Sequence, residues 1–407
     1  MNYPNEPLNQ TVTTDDNGKS ANHEINSTAP PVQNGQQYTG PYPPFVPPAG
    51  VVPPWMPNGG YPYPPYGYPL FDPYRMQRKS MRSAVNKAGL VLIACLFIML
   101  AVSTVFVMVA QVFLAGDLLN NRGDYESILY WMQAFLSPVA LLIPAFIFFK
   151  GSRLSMTEVV KTEKGNVFFK LCLILTSIGV AMFANLPASA LKNLLSNIGI
   201  QTAEGSLPSQ MSAEVVIPHI LAIVVIAPLV EEFVFRGVIL TYLEKHHGQL
   251  FAVLTSGVLF GLMHGDIISV LVTSAAGIVF GLTYVKTRNL WVTVVIHFLY
   301  NSLAVLSSYA DILFIEEAAA LIVSLTFLVP VILGLIGIIV LLIKYRSKLW
   351  ENNKRKQPVT DGVAYQPTAL IPVTVSRIAG SWFTSISFWI TILYVCYNLI
   401  AVNIGLG

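Results

Sequence analysis

Charge is what this chain has least of. Lys and Arg number 24 and Asp and Glu 21, together 11% of 407 residues. Soluble proteins carry roughly 25% charged residues, so an ordinary soluble domain is excluded. The 54% apolar content and a mean hydropathy of +0.60 point instead to a polytopic membrane protein. A net charge of only +3 excludes a nucleic-acid partner. Cysteine is almost absent: Cys95, Cys172 and Cys396 sit in apolar runs without metal-ligand spacing, which rules out a disulfide frame and a cysteine-held zinc. No basic start leading into an apolar run follows Met1, so no signal peptide is expected.

Proline, by contrast, is concentrated. Residues 1–74 hold 17 of the 27 prolines, with Tyr, Gly, Asn and Gln. Proline has no amide proton and clashes with the preceding helical turn, so residues 1–80 read as a disordered, locally polyproline-II tail on the cytoplasmic side. Such a tail can engage a partner that reads Pro-rich ligands. Residues 81–346 read as an all-α transmembrane bundle, with a chemical core at about 215–310. A basic linker over 347–377 precedes a C-terminal membrane segment over 378–407.

About 20 apolar residues cross a bilayer. Clear spans fall at 88–115, 127–149, 167–191 and 318–343, and a last one lies within 380–405. Four shorter or polar-marked segments, 215–240, 249–264, 267–285 and 290–310, bring the count to eight core helices and a ninth. Lys and Arg alternate between successive loops: Arg75 to Lys87 precede the first span, five basic residues lie in 150–170, and seven follow the eighth span. The opposite loops hold only Arg122 and Lys192. By the positive-inside rule the N-terminus is cytoplasmic and the C-terminus faces outward.

Within these apolar segments stand polar groups costing about 2.5–3.5 kcal/mol each at bilayer depth, which makes them functional by default. APLVEEFVFRGVIL places Glu232 and Arg236 at i,i+4, on one helical face, where they can neutralise each other. Glu231 is rotated about 100° away and stays free to act as a general base. Phe260 and His264, then His297 and Asn301, repeat the same spacing. A histidine can activate water or donate to an oxyanion, and an asparagine amide is a neutral donor suited to the same task.

In this order and on membrane helices, EExxxR, FxxxH and HxxxN resemble the CPBP family of intramembrane proteases, which includes the type II CAAX prenyl endopeptidases and bacteriocin-processing, Abi-like members. The resemblance covers about 215–310. It implies an intramembrane endopeptidase acting on a membrane-bound peptide or protein, prenylated or not. In it Glu231 and His264 would activate the attacking water, and His297 and Asn301 would polarise the carbonyl. Glu232, Arg236 and Phe260 would shape the site. The cofactor stays open: either none is needed, or a divalent metal such as zinc is held by Glu231, His264 and His297.

Other protease classes lack their signatures. There is no H-E-x-x-H, Leu254 replaces the first Gly of G-x-S-G, and Met263 replaces the first Gly of G-x-G-D. Two non-proteolytic readings remain, a membrane adaptor or bacteriocin-immunity protein and a proton-coupled transporter. The divergent tail and short loops point to a bacterial cell membrane.

Helix rise puts Glu231 and His297 on the order of 10–15 Å from the cytoplasmic ends, but His264 about 22 Å. These residues meet only if the 249–264 helix tilts or ends inside the protein. Gly257, Gly261, Gly265, Gly277 and Gly281 predict close contact between the two helices that carry them.

Overall fold

The computed structural model describes residues 73–113, 122–202, 213–350 and 373–404. The Pro-rich tail up to residue 72 and most of the basic linker lie outside the described residues. Among the described residues the regular structure is all helical, apart from one isolated bridge between Thr162 and Asn289.

Helix α1 runs Pro73–Phe113 and α2 runs Arg122–Gly151. After the single turn α3 (Met156–Val159) come α4 (Val167–Phe183) and α5 (Asn185–Asn197). Helix α6 is continuous over 213–247 but changes winding four times. Then follow α7 (Gln249–Leu262), α8 (Ile267–Thr287), α9 (Leu290–Leu313) and α10 (Glu316–Lys344). The last three are α11 (Arg346–Trp350), α12 (Val375–Phe383) and α13 (Ile386–Asn403).

Seven helices are long and apolar enough to cross a membrane among the described residues. The nine expected spans are all helical, but two depart from the rule of about 20 apolar residues. Helix α7 has 14 residues, about 21 Å of rise against a hydrocarbon core of about 30 Å. Helix α6 carries the charged centre. The first helix also begins well before residue 88. Met81, Ala84, Val85 and Ala88 are buried at i, i+3, i+4 and i+7, so the basic stretch continues α1 as an amphipathic helix. Proline is tolerated at its first position because that amide would lack a helical partner anyway.

The core lies where α1, α2, α6, α7 and α8 meet, around Phe235, Ile239, Phe251, Phe260 and Tyr284. A Cβ on Gly257 of α7 would come within 2.7 Å of the Ile278 amide nitrogen on α8. Only glycine permits that approach, as the small-residue spacing predicts. Between these helices Gly265 adopts φ +73°, and Asp266 caps α8 by accepting from the Ser269 amide at 2.8 Å. The C-terminal helix is built into the bundle. Asn86 of α1 accepts from the Ser385 hydroxyl at 2.6 Å, and the Asn398 amide donates to the Gly265 carbonyl at 3.1 Å.

Candidate active site

The acidic pair sits on a regular turn, Ala227–Glu232, between two π-helical stretches, Leu221–Ile226 and Phe233–Leu240. Proline explains part of this. The Ala227 amide donates to the Ala222 carbonyl, five residues back, so the next donor in that register would be residue 228. Pro228 has no N–H, and the Ile223 carbonyl loses its backbone partner. Asn301 of α9 supplies the missing donor, its Nδ2 lying 2.8 Å from the Ile223 oxygen. Further along, Ser256 donates to the Phe235 carbonyl at 3.0 Å and Thr241 to the Arg236 carbonyl at 3.2 Å. Side-chain donors thus accompany both π stretches, a winding often found at functional sites.

Glu232 and Arg236 are both fully buried and joined at 2.7 Å, Nη1 to Oε1. The guanidinium also donates through Nη2 to the Gly277 carbonyl at 3.2 Å. It lies over the Phe260 ring at 4.7 Å and near that of Phe280 at 5.5 Å. The aromatic faces attract the cation while excluding water from it.

His297 binds the centre from α9. Its Nδ1 is 3.0 Å from Glu232 Oε1, and its Nε2 is 3.8 Å from Glu231 Oε2. If Nδ1 carries the proton it donates to Glu232, and Nε2 presents a lone pair toward Glu231. Glu231 differs from its neighbour: its side chain is 16% exposed and forms no bond to Arg236.

His264 is placed differently. It is exposed at the end of α7, with Nδ1 3.0 Å from its own helix's Phe260 carbonyl. The Phe260 ring meets both histidines edge-on, His264 at 5.1 Å and His297 at 5.7 Å. Glu231, Glu232, Arg236 and His297 therefore form one polar cluster, Asn301 anchors α9 to it, and His264 reaches it through an aromatic ring. Phe280 and the carbonyls of Gly277 and Ile223 escape sequence reasoning. Pro228, five residues beyond Ile223, was the available signal for the last.

The zinc alternative fits this arrangement poorly. Among the described residues no three His, Cys, Asp or Glu side chains are grouped to hold a metal. Arg236 already supplies the positive charge beside Glu232.

Fold and site together define an all-α, multi-pass membrane protein with a carboxylate–guanidinium–imidazole centre buried between its helices. Residues 213–303 match the family model described as type II CAAX prenyl endopeptidase Rce1-like. YdiL of Bacillus subtilis (strain 168), whose name assigns it to the membrane peptidases, is 33% identical over 82 residues. That match covers 20% of this chain and 34% of YdiL. The membrane-embedded CAAX protease MroQ of Staphylococcus aureus (strain USA300) is 35% identical over 88 residues, 20% of this chain and 36% of MroQ. The chain thus spans about a third of the length of these curated relatives. No solved structure matches the chain.

Proposed function

We propose that the protein is an intramembrane endopeptidase whose attacking water is activated by Glu231. The observation that carries this reading is the asymmetry of the two carboxylates. Glu232 is neutralised by Arg236, whereas Glu231 is unpaired with it, partly accessible, and faces His297 Nε2 at 3.8 Å. That separation is too long for a direct hydrogen bond, so the Glu231 carboxylate stays available to a water.

In the reaction, Glu231 takes a proton from water as the oxygen attacks the carbonyl carbon. The carbonyl electrons move to oxygen, and the resulting oxyanion is stabilised by the second N–H of Asn301 and by Nε2–H of His297, whose ring carries a proton on both nitrogens at this step. Collapse expels the amine, which receives the proton held by Glu231. Glu232 keeps the His297 ring in one orientation, and Arg236 keeps Glu232 ionised and in place. His264 stands across the Phe260 ring, positioned to meet the substrate or assist the water.

The substrate class is a membrane-associated peptide, with prenylated CAAX-type chains among the candidates. The relatives' names and the bilayer setting of the site support this. The N-terminus is assigned to the cytoplasmic side on the loop charges. Purified protein in nanodiscs, offered matched prenylated and unprenylated peptides, should release fragments. Glu231→Gln should abolish release while leaving the thermal midpoint unchanged, and Asn301→Ala should slow release by about 10²-fold. Full cleavage by Glu231→Gln would refute the role given to this carboxylate.

A further inference from the structure

A groove of about 630 Å3 opens between α1, α2 and the end of α6, and its lining includes none of Glu231, Glu232, Arg236, His264 or His297. Its walls are apolar, with Leu90 of α1 and Pro144 and Phe148 of α2 among them. Three groups that are cationic or can become so, Lys87, Arg153 and His246, also line it, and no acid does. Neither Lys87 nor Arg153 has an ion-pair partner among the described residues. Arg153 follows α2 with φ +55°, a left-handed conformation uncommon for a residue with a Cβ. Lys87 precedes the most apolar part of α1, and Arg153 follows that of α2. The two charges therefore lie at the same end of an antiparallel pair, at the level where headgroups begin.

We propose that this groove is a binding site for an anionic glycerophospholipid of the surrounding bilayer. The phosphate lies between Lys87 and Arg153, and one acyl chain follows the apolar wall past Leu90 and Phe148. Charge complementarity selects the occupant. A zwitterionic lipid brings its own cation to a rim that already carries two, whereas an anionic headgroup neutralises them. Lys and Arg near a membrane surface each add to the attraction for anionic lipid. The volume lies in the range of ordinary ligand cavities, room for a headgroup and the upper part of one chain.

The full-length protein, purified in detergent, provides the test. Thermal unfolding is followed against added phosphatidylglycerol, phosphatidylcholine with the same acyl chains, and glycerol phosphate. Phosphatidylglycerol should raise the midpoint at concentrations where the other two do not. Replacing both cations, Lys87→Gln with Arg153→Gln, should weaken the effect of phosphatidylglycerol on the order of ten-fold or more. A second variant avoids dependence on charge removal. A Cβ on Gly151, at the groove's rim, meets nothing within 4 Å, so Gly151→Trp should block the groove and abolish the lipid response without lowering the lipid-free midpoint. Equal stabilisation by phosphatidylcholine, equal stabilisation by glycerol phosphate alone, or unchanged lipid response in both variants would each overturn the proposal. Peptidase activity is not read in this test, so its outcome is independent of the function proposed above.

Discussion

At the scale of single residues, the decisive pair is Glu232 with Arg236. Both are removed from solvent, so neither charge can exist there without the other. Arg236→Ala should therefore cost about 3–5 kcal/mol, or prevent folding, because it strands a buried carboxylate. Arg236→Lys should also destabilise, since a lysine cannot both bond Glu232 and spread a flat cation over Phe260. Chemical denaturation in micelles measures both, and a wild-type midpoint for Arg236→Ala would contradict the assigned pairing. This contact was legible in the chain because i,i+4 spacing on a helix suffices to predict it. The contact from Glu232 to His297 was not. It joins residues 65 apart, and no local periodicity reports which histidine arrives or by which nitrogen.

At the scale of elements, π winding governs how α6 presents its groups. Losing the Asn301 donor leaves the Ile223 carbonyl unsatisfied, at a cost of about 1–3 kcal/mol. Pro228→Ala would restore an amide at the position where the π register needs one. Asn301→Ala should accordingly destabilise the protein much less in the Pro228→Ala background than alone. Equal costs in both backgrounds would show that Asn301 does not act through this carbonyl. The basic end of the same helix, beyond its apolar stretch, provides a pH test. Burial, reinforced by the neighbouring His246, lowers the His247 pKa to about 4, against a contact to the Ser80 backbone that raises it. The unfolded chain then binds the extra proton between about pH 6.5 and 4. Stability should be full above about 6.5 and fall, on the order of a few kcal/mol, as pH drops toward 4. His247→Gln should flatten that slope in thermal scans across this range.

At the scale of the whole molecule, the terminal helix changes the picture of where the functional unit ends. Sequence resemblance stops near residue 310, well short of the C-terminal segment over 378–407. In the fold α13 instead packs along α1, and Asn398 holds the Gly265 carbonyl next to His264. Truncation before residue 378 should therefore lower stability and peptide release together. Cysteine-labelling from either side checks the topology: a single reactive site at Arg153 should label from the cytoplasm, and one at Gly407 from outside. Labelling of both from one face would contradict the loop-charge assignment.

Composition and period determined the broad class by themselves. An 11% charged chain with continuous apolar spans of about 20 residues crosses a bilayer as helices, because a helix bonds its backbone groups within one segment, whereas barrel strands are about 10 residues long and alternate in polarity. The identity of the polar residues was likewise written in local spacing, as was the separation of Glu231 from the Glu232–Arg236 pair. The tertiary structure alone decided which helices converge. It brought His297 and not His264 against the carboxylates, it spent one Asn301 N–H on a carbonyl that proline had orphaned, and it opened a basic-rimmed groove away from the centre. These outcomes depend on packing between helices far apart in the chain, where glycine contacts and π turns set rotation and depth, and no residue's nearest neighbours in sequence encode that.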